Sequence, residues 1–161
     1  MGERRSHVRP HLLIVGDDPD LASFLAEGLL LAGFWTSTVA SPFQVLEVFR
    51  LRSFDLVLID AALGGFGAIE LVRRLRGRSD RSPSGAQRTD IPIILVAAGS
   101  AEVSSEVITG SGADDLLVAP LDLEEIAPRI FGVVEAWRQS HPDRPWADEV
   151  ALASNVRPPP V

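Results

Sequence analysis

Two short apolar runs that each end on aspartate constrain the fold of this chain more than any other feature. Residues 11–16 lead into Asp17 and Asp18, and residues 54–59 lead into Asp60. Short runs rich in β-branched residues and without polar alternation predict strands that are buried on both faces of a parallel sheet. The carboxyl ends of such strands meet at one edge of the sheet, so we expect these aspartates to lie close together. Clustered carboxylates suit a divalent cation or phosphoryl chemistry.

Apolar runs and helical patterns alternate along the rest of the chain and indicate an α/β fold. Strands are predicted at residues 11–16, 34–39, 55–60, 91–96 and 115–118, and helices start near residues 19, 42, 68, 101 and 123. Asp18 before Pro19 and Ser41 before Pro42 are typical of a helix N-cap followed by proline in the first turn. Pro128 is expected to kink or delay the last helix. This alternation predicts a doubly wound, five-stranded parallel sheet.

Polar and proline-rich segments at the two ends define the predicted boundaries of the domain. Residues 1–9 are predicted to be a disordered tail and residues 10–138 a single domain. Residues 139–161 form a proline-rich tail that we expect to be extended and mobile, although Trp146 could fix part of it. The arginine-rich segment 77–90 is interpreted as a loop or small insertion. Its arginines, together with Arg73, Arg74 and Arg76 at the end of the preceding helix, are expected to be solvated.

The composition excludes several classes of function. All 15 basic residues are arginine, and the formal net charge of −7 argues against nucleic acid as a partner. The chain contains no cysteine, which excludes disulfides and thiolate metal sites. No signal peptide is visible, and no apolar run approaches the ~20 residues that cross a membrane. We therefore expect a cytoplasmic protein that binds neither nucleic acid nor membrane directly.

Four motifs, in order, resemble the receiver domain of bacterial response regulators. They are Leu12-Leu13-Ile14-Val15-x-Asp17-Asp18-Pro19, Asp55-Leu56-Val57-Leu58-Ile59-Asp60, Ile91-Pro92-Ile93-Ile94 and Gly112-Ala113-Asp114-Asp115. The resemblance covers about residues 10–138 and implies a flavodoxin-like three-layer sandwich. It also implies Asp60 as the phosphoacceptor of a histidine kinase. Magnesium would be held by Asp17, Asp60 and the backbone carbonyl of Ala62.

Three positions depart from the pattern of that family. Gly16 stands where the first acidic residue is expected, Ala97 where a Ser or Thr is expected, and Ala119 where a lysine is expected. In the family, the hydroxyl and the ammonium group bind the new phosphate, and alanine offers neither. Gly64 also replaces a frequent proline and is expected to loosen the loop after Asp60. The departures predict weak magnesium binding and a degenerate switch.

Several acidic residues and histidines have simpler interpretations. Asp18 is expected to cap the first helix, and Asp114 and Asp115 to organise the turn before the last strand. Asp17 and Asp60 are either a residual cation site or solvated carboxylates at the edge of the sheet. The three histidines, His7, His11 and His141, lack the spacing of zinc ligands.

Two classes of enzyme lack support in the sequence. Carboxylates in the first strand–helix turn argue against a dinucleotide site, and the Gly-x-Ser-x-Gly motif of many hydrolases is absent from the sequence. We therefore expect that the protein is not an enzyme.

The preferred interpretation is an atypical stand-alone regulator without a separate output domain. It would bind a protein through a surface that includes Arg129, Val134, Trp137 and Arg138. The partner would be a histidine kinase, a phosphotransfer protein or another regulator, and a homodimer is possible. The alternatives are a working phosphoacceptor at Asp60 and a module that senses a small ligand in the site.

Overall fold

Five parallel strands form one sheet in the order β2-β1-β3-β4-β5. The computed structural model describes residues 8–79, 88–99, 108 and 110–153. The strands are β1 (His11–Val15), β2 (Trp35–Val39), β3 (Leu56–Asp60), β4 (Ile93–Ala97) and β5 (Asp115–Val118). The described helices are α1 (Pro19–Leu31), α2 (Pro42–Leu51), α3 (Ala68–Leu75), α4 (Leu123–Ser140) and α5 (Ala147–Ala153). The predicted doubly wound α/β sheet is confirmed, whereas the helix predicted near residues 101–109 lies almost entirely outside the described residues.

The three central strands are buried along their whole length, which explains why their sequences do not alternate. Alternate residues of β1, β3 and β4 enter two different apolar clusters, one on each face of the sheet. One cluster also contains α2 and α3 residues, and the other contains residues of α1 and α4. Burial on both faces leaves no position for a polar side chain within these strands, except at their ends.

Helix caps form where the sequence predicts them. The Asp18 side chain accepts hydrogen bonds from the backbone N–H groups of Asp20 (3.0 Å) and Leu21 (3.4 Å), so Asp18 caps α1. The Ser41 hydroxyl oxygen accepts from Gln44 N (3.3 Å) and caps α2. A further cap is Asp122, whose side chain accepts from Glu124 N (3.0 Å) at the start of α4. Since α4 begins at Leu123, the expected delay of this helix by Pro128 is wrong.

The segment after residue 139 is not the extended tail that we expected. Helix α4 continues to Ser140, and α5 follows at Ala147–Ala153. Trp146 lies under the Arg138 guanidinium at 3.6 Å, and Trp35 Nε1 donates to Asp148 at 3.0 Å. The expectation fails because local composition does not register these long-range contacts. The N-terminal residues 1–7 and the last residues 154–161 lie outside the described residues, so the division into one domain and two tails stays a prediction.

Candidate functional site

The carboxyl ends of β1 and β3 bring the predicted acidic residues together. Val15 of β1 pairs with Ile59 of β3, so Gly16 and Asp60 follow at adjacent positions of the sheet. A Cβ atom added to Gly16 would lie 3.2 Å from the Cβ of Asp60. Gly16 therefore leaves little room for a side chain beside Asp60 unless its neighbour moves by a few tenths of an ångström.

Backbone amides of the loop after β3 bind both carboxylates. Asp60 is buried at 8% exposure, and its Oδ1 accepts a hydrogen bond from Ala62 N at 2.9 Å. Asp17 is exposed, and its Oδ2 accepts from Gly64 N at 3.1 Å. A Cβ on Gly64 would lie 2.9 Å from that oxygen, so glycine permits this approach. The hydrogen bond restrains the loop that Gly64 was expected to loosen.

The other two departures from the family pattern lie on the neighbouring strands. Ala97 ends β4, next to Val96, which pairs with Asp60. Ala119 follows β5 and donates its backbone N–H to the carbonyl of Ala97 at 3.0 Å. Both positions therefore lie at the edge of the sheet that carries Asp60, and both present only methyl groups.

The acidic residues offer a sparse set of metal ligands. The predicted ligands Asp17, Asp60 and the carbonyl of Ala62 are oxygen donors, the type that suits a hard cation. In the part of the chain that the structure describes, no group of three or more His, Asp or Glu side chains could hold a metal ion. The donors fit magnesium in type but supply only two carboxylates.

A small cavity adjoins Asp60 under α1. It is lined by residues that include Gly16, Leu21 and Asp60, and its volume is about 10 Å³. A cavity of this size holds at most about one water molecule. The cavity offers no room for a small-molecule ligand.

The predicted partner surface on α4 is only partly exposed. Val134 is 1% exposed and belongs to the core, so its assignment to the surface is wrong. Its helical spacing from the buried Ile130 places both residues on the inner face. Trp137 Nε1 donates to Asp90 O at 2.8 Å, and Arg138 lies over Trp146. Of the four residues, Arg129 remains the exposed one.

Asp114, directly before β5, and Asp115, the first residue of β5, both hold neighbouring segments in place. Asp114 Oδ2 accepts from Ile93 N at 2.9 Å and from Arg76 Nη2 at 2.8 Å. Asp115 forms an ion pair with Arg129, with the closest N–O distance at 2.7 Å. Arg76 donates further hydrogen bonds to three backbone carbonyls, so the interpretation of this arginine as solvated is wrong.

A second buried aspartate, Asp55, lies at the amino end of β3, outside the predicted site. Asp55 is 6% exposed, its Oδ2 accepts from His11 N at 2.8 Å, and its Oδ1 accepts from Ala147 N at 3.1 Å. Burial raises the pKa of Asp55 to about 6 against the effect of these hydrogen bonds. The one available signal was an acidic residue placed directly before a fully apolar strand.

His11 is buried beside Asp55 at the same end of the sheet. Its Nε2 lies 2.7 Å from the Ser37 hydroxyl oxygen. Burial, and secondarily the charge of Arg52, lowers the pKa of His11 to about 4. The ring is therefore neutral at pH 7, and the amino end of the sheet carries a built polar network.

Comparisons with known proteins agree with the fold and show the family. A family model described as the response regulator receiver domain matches residues 12–131. The DNA-binding response regulator MtrA of Mycolicibacterium smegmatis is 32% identical over 123 residues, covering 76% of this chain and 50% of that protein. The transcriptional regulatory protein BaeR of Escherichia coli is 30% identical over 135 residues, covering 84% and 51%. The chain thus spans about half the length of these curated relatives.

Solved structures of response regulator receiver domains are also similar to this chain. The receiver domain of the TMAO respiratory system response regulator TorR is 31% identical with a TM-score of 0.64, covering 80% of this chain and 98% of that chain.

Among the helices that the structure describes, none has the length and apolar character needed to cross a bilayer.

Proposed function

Because this chain belongs to the response regulator receiver family, we propose that it signals by binding a protein partner in a manner that depends little on phosphorylation. The observation that carries the proposal is the surroundings of Asp60. Gly16, Ala97 and Ala119 lie at the edge of the sheet around this carboxylate and supply no charge, hydroxyl or ammonium group. The domain has an aspartate at the position of the phosphoacceptor, Asp60, but lacks the hydroxyl and ammonium groups that would bind a phosphoryl group there.

A phosphoryl group on Asp60 would have few protein contacts that distinguish it from the free carboxylate. A modification shifts a conformational equilibrium only if it interacts differently with the two conformations. The methyl groups of Ala97 and Ala119 cannot donate hydrogen bonds to phosphoryl oxygens. The added negative charge would also lie near Asp17. Phosphorylation is therefore expected to be inefficient and to change the conformation little.

Receiver domains typically bind magnesium at the acidic site. Here Asp17, Asp60 and the carbonyl of Ala62 would hold the ion, which would offset charge on the transferred phosphoryl group. Magnesium gives up its water ligands reluctantly, so a site with few carboxylates binds it weakly. One oxygen of each carboxylate already accepts a backbone N–H, which weakens the site further.

The surface proposed for the partner lies around β5 and the exposed face of α4. Val118 in β5 is 59% exposed, and the Arg129 side chain beside this strand is 51% exposed. β5 is the last strand of the sheet in the part of the chain that is described, so one of its sides has no neighbouring strand. The partner would be a histidine kinase, a phosphotransfer protein, another regulator or a second copy of this domain. The net charge of −7 disfavours direct binding of DNA by this chain.

The test is genetic complementation with two variants that separate the acceptor from the surface. We expect Asp60→Asn to retain activity and Arg129→Glu to lose most of it. Asp115→Asn is the matched control, because it breaks the same ion pair without changing the charge of Arg129. Loss of activity in Asp60→Asn, with Arg129→Glu intact, would instead support the working phosphoacceptor. The retention of a buried Asp60 is the observation that keeps this alternative open.

A further inference from the structure

A cavity of about 180 Å³ lies at the amino ends of β3 and β4, at the opposite end of the sheet from Asp60. The loop after α2, the segment before β4, the end of α4 and the segment that leads into α5 surround it. Its lining includes four arginine side chains, namely Arg52, Arg88, Arg138 and Arg144. We call this space the amino-end cavity.

The charges around the amino-end cavity are unbalanced. Asp55 is the single carboxylate in the lining, and Asp90 pairs from outside it with Arg144 through bonds of 2.9 and 2.8 Å. Two positive charges are therefore in excess, in a chain whose net charge is −7. A local positive cavity with low-dielectric walls concentrates anions.

Arg52 is an arginine of the amino-end cavity whose charge is poorly compensated by the protein. Among the residues that the structure describes, no carboxylate pairs with Arg52, and burial alone lowers the pKa of its guanidinium. Its contact is with a ring, that of Phe54, at 5.9 Å. The contrast is Arg76, which is buried with Asp114 and three carbonyls as partners. A partly buried guanidinium without a carboxylate is costly unless something else compensates it.

Asp55 forms no ion pair with Arg52 among the described residues, and each of its oxygens already accepts a backbone N–H. His11 N donates to Oδ2 and Ala147 N donates to Oδ1. The carboxylate thus joins β1 and α5 instead of accepting from the cavity arginines. The cavity keeps donors in excess of acceptors.

We propose that the amino-end cavity binds a small oxyanion, carrying a phosphate or carboxylate group, through the guanidinium of Arg52 with support from Arg138. A guanidinium matches the planar pair of oxygens that both groups present. The volume is comparable with that of an engineered cavity of ~150 Å³ that holds benzene, so the ligand has the size of a phosphate ion or a short dicarboxylate. Phe49, Phe54 and Trp137 also line the cavity and would contact a carbon skeleton.

The test is titration of the full chain with inorganic phosphate and, separately, with succinate, followed by amide chemical shifts. EDTA is present so that no metal bridges phosphate to Asp60, and ionic strength is fixed with sodium chloride. We expect saturable shifts at residues 52–55 and 144–150. Tighter binding of phosphate or of succinate identifies the head group that the cavity prefers.

The matched variants are Arg52→Gln and Arg50→Gln, two residues apart on the same segment. Loss of a charge-assisted hydrogen bond from Arg52 corresponds to about ten-fold weaker binding or more, whereas Arg50 is exposed and should change binding by less than about two-fold. Arg138→Gln provides a second variant with an expected smaller loss, and unfolding curves establish that each variant is folded. Absence of saturable binding for both anions, or equal affinity in Arg52→Gln and the unchanged chain, would overturn the proposal.

Discussion

Strand β3 has a buried aspartate at each end, and the two are stabilised very differently. Asp55, before the strand, accepts hydrogen bonds from segments that are 44 and 92 residues away in sequence. Asp60, at its last position, accepts from Ala62, which is two residues away. Their exposures are nearly the same, at 6% and 8%. Burial alone therefore does not tell which of the two aspartates supports the fold.

The difference concerns what each carboxylate holds together. Asp55 joins β1 to the C-terminal helix α5, so the fold depends on it. Asp60 contacts its own loop and lies at an edge where Gly16, Ala97 and Ala119 supply no polar partner. The family resemblance draws attention to the carboxyl end, whereas the polar network of this particular chain lies at the amino end.

The largest expected effect is on stability, in the comparison of Asp55→Ala with Asp60→Ala. Removing Asp55 leaves two buried N–H groups, of His11 and Ala147, without an acceptor. At about 1–3 kcal/mol for each unsatisfied group, Asp55→Ala should cost about 2–6 kcal/mol. Asp60→Ala leaves a single, only partly buried N–H group, that of Ala62, without its acceptor, and it also removes a charge near Asp17, so it should cost no more than about 1 kcal/mol. Urea unfolding at pH 7 measures the free energy of unfolding of both variants. Equal losses of stability would contradict the different roles of the two aspartates.

The pH dependence of stability offers the next largest effect. The folded-state pKa of His11 is lowered to about 4, so its contribution is present above pH 6.5 and is lost as the pH falls towards 4. The folded-state pKa of Asp55 is raised to about 6, so its contribution is present below pH 3.8 and is lost as the pH rises through 6. Between about pH 4 and 6 the contributions of His11 and Asp55 to the pH dependence of stability have opposite signs. The free energy of unfolding should therefore change little with pH because of these two groups.

Asp55→Asn removes the contribution of Asp55 to the pH dependence of stability and leaves that of His11. Its free energy of unfolding should then fall on acidification between pH 6 and 4.5, by up to about 1.4 kcal/mol per pH unit relative to the unchanged chain. His11→Gln should show the opposite slope. Parallel pH profiles for both variants and the unchanged chain would show that these two groups do not titrate as the structure indicates.

The sequence predicts the fold more completely than the network that holds its amino end. Periodicity and N-caps place the strands, α1 and the start of α4 correctly, because these are local properties. The contacts of Ala147 with Asp55 and of Asp148 with Trp35 span most of the chain, and no local pattern encodes them. The proximity of Gly16 and Asp60 was predictable because the carboxyl ends of neighbouring strands meet at one edge. The burial of Val134 could have been inferred from its four-residue spacing to Ile130.

A smaller effect is expected from the surface of the amino end. Arg144 forms a bidentate pair with Asp90, but both side chains are about half exposed. Arg144→Gln should therefore cost no more than about 1 kcal/mol. Arg50→Gln, which breaks a longer exposed pair with Glu47, should cost less still. Thermal unfolding of both variants checks the order, and a loss from Arg144→Gln as large as that from Asp55→Ala would contradict it.

The smallest effect is expected at the carboxyl end, in magnesium binding. With two carboxylates, each already accepting a backbone N–H, we expect an affinity in the millimolar range or weaker, about −4 kcal/mol at most. Asp17→Asn should reduce even this binding. Calorimetric titration checks both statements, and micromolar affinity in the unchanged chain, or an affinity unaffected by Asp17→Asn, would show that the ligands are misassigned.

The most direct measurement compares beryllofluoride, a mimic of the phosphoryl group, on the unchanged chain and on the combined variant Gly16→Asp, Ala97→Thr and Ala119→Lys. The variant introduces the carboxylate, hydroxyl and ammonium group that the family resemblance implies around the proposed acceptor, Asp60. Asp60→Asn in the same background is its control. With magnesium present, we expect amide shifts that spread through β4 and β5 in the variant and stay next to Asp60 in the unchanged chain. Shifts through β4 and β5 in the unchanged chain, equal to those of the variant, would contradict the account.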